Sequence, residues 1–374
     1  MASALRLLHV APLPPPWTGI GVSVQHTLAS APLMAQANWV VNSSRVGGAL
    51  SNGKPKGPTP ERMLRHAHLA ARVGRLVREH QIQVVHLHGS THDLSVCGNW
   101  LSIAVARVGR AHTVWHLHED LSAVAFPGRT PFTRGTFAAL MATPDTVAVL
   151  TTRDRRLASG LVAEPRLAVV PPTCSPELLS LPIVRPHAPV HVLYVGWLAE
   201  LKGIYDLLRI ASVVCRTRQD ITFDVLGTGR TPADTDAVRR EIEHRGLTPS
   251  VLLHGVKTGR AKLAAFARAN LLCTPTHWDA FPVTVLEAMS AGLPVVGTRV
   301  GGLPSMLKEE HGGVLTPVGD VETMADALLE LAGTAQRREA MGAANRARFL
   351  ERYHPDRVGQ LMVDLDRRLV GEAS

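Results

Sequence analysis

Cysteine is scarce in this chain: four residues in 374, at positions 97, 174, 215 and 273, and never as a CxxC pair. That spacing excludes a disulfide frame and a zinc ribbon, and it predicts the reduced thiols of a cytoplasmic protein. Aromatic residues make up only 4% of the chain. Basic residues without aromatic neighbours lack the stacking platforms of nucleic-acid readers, and no RNA- or DNA-reading motif occurs, so nucleic acid is not an expected partner. No run of eighteen apolar residues occurs, so no membrane span is expected. The opening stretch, MASALRLLHVAPLPPPW, lacks a basic n-region, and proline breaks its short apolar run; no signal peptide is expected.

Negative charge is thin in the first half. Residues 1–185 hold 18 lysines and arginines against 9 acidic residues, whereas 186–374 hold 22 of each, so the whole net charge of +9 falls in the first half. A basic half suits an anionic partner, either acidic lipid or a phosphorylated acceptor; an arginine-rich surface without such a partner is the plainer alternative.

Apolar residues make up 45% of the chain, enough for a well-filled core, and the length suits two domains. LRLLHVAPL (5–13), VVHLHGS (84–90), HTVWHLHED (112–120), VAVLTTRD (147–154) and RLAVVPPT (166–173) are apolar runs without strict alternation. Strands of a parallel sheet covered on both faces read this way. GVSVQHTLASAPLMAQ (21–36) predicts a helix that Pro32 ends or kinks. In PERMLRHAHLAARVGRLVREHQ (60–81), a turn of about 100° per residue puts Met63, Leu69, Ala70, Val73, Leu76 and Val77 on one arc. Arg65, Arg72, Arg75 and Arg78 take the opposite arc. Such a helix suits an anionic membrane surface; a helix covering the sheet with a solvated outer face fits equally and is the reading taken. Residues 47–60, GGALSNGKPKGPTP, predict a flexible polar loop.

RPHAP (185–189) reads as a linker, after which strand and helix patterns alternate again from VHVLYVGWL (190–198) to LPVVGTRVGG (293–302). GTGR (227–230) lacks the third glycine of a dinucleotide loop, so NAD is not expected. The expected fold class is α/β: two doubly wound parallel-sheet domains, 1–184 and 185–354, facing a cleft at the carboxyl ends of their strands. The last helix, within 355–374, could stay with the second domain or cross back to the first.

DAFPVTVLEAMSAGLPVV (279–296) is the most informative stretch. Pro282 suits the first turn of a helix, Gly292 its C-terminal cap and Pro294 the stop beyond it. Asp279 then precedes a helix N-terminus, where negative charge is favoured, and Glu287 lies about one and a half turns inside. A carboxylate on a half-buried face needs partners to offset its desolvation. A sugar diol would serve, and so would a neighbouring arginine; spacing alone leaves both open. Free N–H groups at the same helix start could meet a phosphate, except at Pro282, which has none.

PTHWDAFPVTVLEAMSAGLPVV (275–296) resembles the signature of retaining nucleotide-sugar glycosyltransferases of family 4, which reads approximately P-S-x-x-E-x-F-G-x-x-x-x-E-A-M-A-x-G-x-P-V-V. Asp279 falls on its first acid and Glu287 on its second. The resemblance extends over nearly the whole chain and implies the GT-B fold, two Rossmann-like domains with a cleft between them. It implies that Glu287 holds the ribose hydroxyls of the donor and that Asp279 touches hydroxyls of the transferred sugar. VGWLAELKG (195–203) resembles the family's G-R-L-x-x-x-K-G, so Lys202 is expected at the diphosphate, with Trp197 standing where the family has arginine. TGIG (18–21) resembles the glycine-rich first loop, so Gly19 and Gly21 are expected against donor phosphate and sugar. HLHED (116–120) resembles the strand end that carries a histidine near the donor sugar, which makes His118 the candidate. VGGLP (300–304) resembles a G-G-x-P-E turn beside the sugar, with Gly301 and Gly302 conserved in type and Ser305 in place of the acid. Phe281, Val283 and Thr284 complete the expected donor-binding set.

The resemblance thus implies an enzyme that moves a sugar from a nucleotide-diphosphate donor to a lipid-linked or polysaccharide acceptor, with retention. His118, Asp279 and Lys202 are the expected catalytic residues, no cofactor is expected, and the basic half offers peripheral contact with the inner face of the cytoplasmic membrane. The departures at 197 and 279 keep a non-catalytic sugar-nucleotide-binding subunit open as an alternative, and a GT-B epimerase is a second; Pro282 also removes one N–H that a phosphate could use. His86, His88, His92, His112, His116 and His118 crowd the first half, and alternation puts His86 with His88, and His116 with His118, on single strand faces. HxH spacing can ligate zinc, but without cysteine partners the reading taken is strand-end residues lining a polar cleft, with no metal.

Overall fold

The computed structural model describes residues 3–15, 18–44, 59–89, 94–121, 140–183, 185–186, 188–308 and 311–372, apart from the side chains of 94–97. The loop expected at 47–60 and His92 thus fall largely or wholly outside the described residues. The chain divides into two compact units, Met1–Cys174 with Pro355–Ser374, and Ser175–His354.

The first unit is built on a six-stranded parallel sheet in the order β2-β1-β3-β4-β5-β6. The strands are β1 (Arg6–Ala11), β2 (Ala37–Asn42), β3 (Val84–Gly89), β4 (His112–Leu117), β5 (Thr146–Val149) and β6 (Leu167–Val169), with α1 (Gly19–Leu28), α2 (Ala31–Met34), α3 (Pro60–Glu79), α4 (Leu94–Val108) and α5 (Thr152–Ala158) connecting them. The second unit repeats the design, in the order β12-β11-β10-β7-β8-β9. Its strands are β7 (Val190–Val195), β8 (Ile221–Leu226), β9 (Val251–Gly255), β10 (Leu271–Thr274), β11 (Val295–Thr298) and β12 (Gly313–Thr316). Its helices are α6 (Ile204–Thr217), α7 (Pro232–His244), α8 (Gly259–Arg268), α9 (Val283–Ser290), α10 (Leu303–Met306), α11 (Val321–Gly333) and α12 (Ala335–Arg352). Chain order reverses between β1 and β3 in one sheet and between β7 and β10 in the other. Ligands of open α/β sheets bind outside the carboxyl ends of the strands at such points.

Several expectations are corrected. The helix expected over 21–36 is two: α1 ends at Leu28, and Pro32 stands in the first turn of α2, where its missing N–H costs nothing. Strand β2 was not foreseen, because ANWVVN is short and lies at the sheet edge. In α3 the four arginines of the polar arc are exposed and Val73 and Val77 are buried, but Met63 is 57% exposed while Arg62 and His66 are buried. The unit boundary falls at 174/175 instead of 184/185. Residues 176–179 form a short 3-10 turn tied to the second unit, where Arg346 Nη2 donates to Leu179 O at 2.6 Å. Among the described residues no helix is long and apolar enough to cross a membrane.

The last helix, α13 (Pro355–Leu369), crosses back to the first unit. Its Val358, Met362, Val363 and Leu365 pack with Leu5, Leu7, Val84 and Val114 on one face of the first sheet. Asp356 Oδ1 accepts from Ala31 N at 2.8 Å. Asp366, wholly buried, accepts from His86 Nε2 at 2.7 Å on the same face. The expected outcome for Asp366→Ala is a loss of about 1–3 kcal/mol, because a buried imidazole N–H loses its acceptor. Asp366→Asn, which keeps an acceptor oxygen, should cost less; equal falls in thermal midpoint for the two variants would show that this bond contributes nothing.

Candidate sugar-nucleotide site

In the second unit the segments leaving β7 and β10 meet at the point of strand-order reversal. A 3-10 turn, Glu200–Lys202, follows β7 and ends at Gly203 with φ +73°. A Cβ at that glycine would sit 1.8 Å from Pro275 O, so only glycine lets this turn lie against the segment leaving β10. Hydrogen bonds fix the docking: His277 N donates to Leu201 O at 3.0 Å, and Thr276 Oγ1 donates to the same oxygen at 3.2 Å. Lys202 Nζ consequently reaches Asp279 Oδ2 at 2.6 Å and Trp278 O at 3.3 Å. Both side chains of this ion pair remain about one-quarter exposed, at 27% and 24%. Two of the expected catalytic residues are thereby joined in one contact.

Asp279 also caps the turn before α9, its Oδ1 accepting from Phe281 N at 3.2 Å. The expected glycine turn lies directly against it. Gly301 has φ +49°, and a Cβ there would lie 1.7 Å from Asp279 O, while Gly302 N donates to Ala280 O at 2.8 Å. Val283 and Thr284, both half-buried, occupy the first two positions of α9, where helix geometry leaves the N–H groups without intrahelical acceptors. The Phe281 ring is buried edge-on against Tyr353, with centroids 5.9 Å apart. Trp197 is 52% exposed just beyond β7, available for stacking but unable to supply the charge of an arginine.

Glu287 is buried on α9, and its Oε1 accepts from Lys262 Nζ at 2.6 Å. Its other oxygen, Oε2, is buried without a hydrogen-bond partner. Burial raises the Glu287 carboxyl above its ordinary range, opposed by the neighbouring Lys262 ammonium. Lys262, on α8, was missed by sequence reasoning: it stands 25 residues from Glu287, and nothing in GRAKLAAF sets it apart. The counter-charge is thus a lysine where a neighbouring arginine was the alternative to a sugar diol, and it satisfies only half of the carboxylate.

In the first unit, Gly19 and Gly21 belong to the first turn of α1, not to a loop before it. Thr18 caps the helix by accepting from Gly21 N at 3.1 Å, and a Cβ on Gly21 would fall 2.5 Å from Pro12 O. Close packing against the segment leaving β1 therefore explains Gly21. His118 lies just beyond β4, 8% exposed, with Nε2 3.1 Å from His88 Nδ1. His86 pairs with Asp366, so it is structural; His116 and His118 stack with centroids 4.4 Å apart, and the His88 ring lies tilted against both at 5.1 and 5.3 Å. Burial, with neighbouring histidines adding to it, holds His88 and His118 well below the ordinary imidazole range.

Residues 189–334 match the family described as Glycosyl transferases group 1. The chain is 32% identical over 178 residues to the D-inositol 3-phosphate glycosyltransferase of Paenarthrobacter aurescens, covering 47% of this chain and 43% of that one. It is 24% identical over 167 residues to the N-acetyl-alpha-D-glucosaminyl L-malate synthase of Bacillus anthracis, covering 45% and 42%. The chain thus spans less than half the length of these relatives. In fold it is similar to a glycosyltransferase from Rickettsia africae, with a TM-score of 0.78 at 12% identity and full coverage of both chains. Anabaena HepE, solved in complex with UDP, gives a TM-score of 0.73 at 14% identity, covering 96% of this chain and 99% of that one. At such identities the structures speak for fold alone. Together with the two six-stranded parallel sheets, these likenesses make the second unit a group 1 glycosyltransferase domain of the family-4 type, within a chain that has the two-domain Rossmann-like GT-B fold.

Proposed function

We propose that this protein is a retaining hexosyltransferase that moves a sugar from a nucleotide-diphosphate donor to a lipid-linked or polysaccharide acceptor. The observation that carries the reading is the buried, unpartnered Oε2 of Glu287 on the helix that follows the Lys202–Asp279 pair. A buried carboxylate oxygen without a donor costs free energy, and a ribose hydroxyl of the donor is the natural group to fill it. In this reading Asp279 takes hydroxyls of the sugar, Lys202 and the first N–H groups of α9 meet the diphosphate, and Trp197 stacks on base or sugar. The second unit is the donor domain and the first, with its excess of positive charge, takes the acceptor and skims the inner face of the cytoplasmic membrane.

In the proposed reaction the bond from the anomeric carbon to the phosphate oxygen breaks and a bond to the acceptor oxygen forms on the same face. The acceptor proton passes to the departing phosphate. Charge grows on that phosphate as it leaves, and Lys202 and backbone N–H groups stabilise it there. Such a step needs no separate general base, and His118 is assigned to orient the donor sugar. UDP-sugars are the first donors to test, since HepE of similar fold is solved with UDP.

Glu287→Ala is expected to weaken nucleotide-sugar binding at least tenfold by calorimetry, and Lys202→Ala to lower kcat about a hundredfold with a labelled donor and a lipid extract. Wild-type turnover in both variants would refute the reading, and tight donor binding without turnover in the wild type would make the chain a binding subunit.

A carboxyl with a raised folded-state pKa favours folding fully below its unfolded value, ordinarily 4.5, and loses that contribution as pH rises through the folded value. Glu287→Gln removes this loss. Its thermal midpoint relative to wild type is therefore expected to climb from pH 4.5 towards neutrality, although donor binding is impaired; a difference independent of pH would contradict the assignment.

A further inference from the structure

One face of the first sheet changes character along its strands. Its amino-terminal half is apolar, with Leu7, Val84 and Val114 beneath α13. Towards the carboxyl ends the same face carries histidines: His9 and His86 are register partners, as are His88 and His116, and His118 stacks on His116 with centroids 4.4 Å apart. Neutral imidazoles need one donor and one acceptor partner each, and hydrogen bonds fix several of the tautomers. His116 Nε2 lies 2.8 Å from Val170 O, which can only accept, so Nε2 carries the proton and Nδ1 is bare. That Nδ1 is buried and has no partner. His88 Nδ1 and His118 Nε2 stand 3.1 Å apart, and the remaining nitrogen of His88, Nε2, is also buried without a partner.

We propose that His88, His116 and His118 form a binding site for one zinc ion, with a fourth position left open. One nitrogen from each of the three lies within 4.8 Å of the other two, and the residues are 5%, 3% and 8% exposed. Zinc–nitrogen bonds of about 2.0–2.1 Å set ligand nitrogens about 3.3 Å apart in a tetrahedron. The His88 Nδ1–His118 Nε2 pair, at 3.1 Å, already has close to that separation, and His116 completes the set within 4.8 Å. Imidazole nitrogens without carboxylate or sulfur select zinc and its neighbours over magnesium or calcium. The ion would tie the ends of β3 and β4 together and fix the orientation of His118. One of its ligands, His118, is the residue assigned above to the donor sugar, whereas Glu287, Lys202 and Asp279 belong to the second unit, so cobalt binding measured without donor reads the metal site apart from sugar transfer.

The test is a titration of cobalt(II), as zinc's spectroscopic stand-in, into untagged full-length protein purified without added metal. The expected result is one equivalent of an intense tetrahedral visible spectrum, displaced by zinc and abolished by a chelator, with zinc raising the thermal midpoint. His88→Asn and His116→Asn should each weaken cobalt binding at least about tenfold, while replacement of the exposed His68 by Asn leaves it unchanged. If a variant folds poorly by circular dichroism, the wild-type titration decides alone. A weak octahedral spectrum, a stoichiometry far above one, or full affinity in the folded variants overturns the proposal.

Discussion

The candidate site depends on one electrostatic constraint: Glu287, a carboxylate removed from water on α9 and answered by one lysine. Desolvation penalises the charged form, and Lys262 offsets part of that penalty through a single oxygen. A helix that needed only packing at this position would carry an apolar residue, as its neighbours Leu286, Ala288 and Met289 do. The carboxylate is retained in a core where it is costly, with one oxygen still able to accept. The unused oxygen leaves Glu287 able to accept one further hydrogen bond.

Around this carboxylate the backbone brings distant segments together. Gly203 lets the turn after β7 press on Pro275, and Gly301 lets the turn after β11 press on Asp279. Each contact would be closed by a single Cβ. The result is that Lys202, 77 residues away in sequence, shares one corner with Asp279 and the start of α9 at the point where strand order reverses. Lys202 and Asp279 neutralise one another at 2.6 Å while staying partly exposed. A ligand that carried both phosphate and sugar hydroxyls could take up both partners without leaving either charge alone.

The histidine face of the first unit follows a different logic. Parallel register places like residues side by side, so HxH on two neighbouring strands becomes a patch, and β1 adds His9 to it. The apolar half of the same face is sealed by α13, whose Asp366 takes the N–H of His86. Only the half towards the strand ends keeps bare ring nitrogens.

Much of this was readable from the residues in order. Buried parallel strands announce themselves as continuous apolar runs, and the start and stop of α9 are written in Pro282 and Gly292, because proline and glycine restrict or free the backbone locally. The acids at 279 and 287 were likewise marked by their spacing from those signals, whereas the lysine at 202 was marked only by the resemblance of VGWLAELKG to the family's G-R-L-x-x-x-K-G. Partners set by packing were not readable. Lys262 opposite Glu287, Asp366 opposite His86, the buried ring of Phe281 and the return of α13 to the first sheet all join residues far apart in sequence. Local patterns report dihedral preference and burial of a face, whereas pairing across a core depends on which faces the chain brings together, and that is decided only once the sheets have formed and been covered.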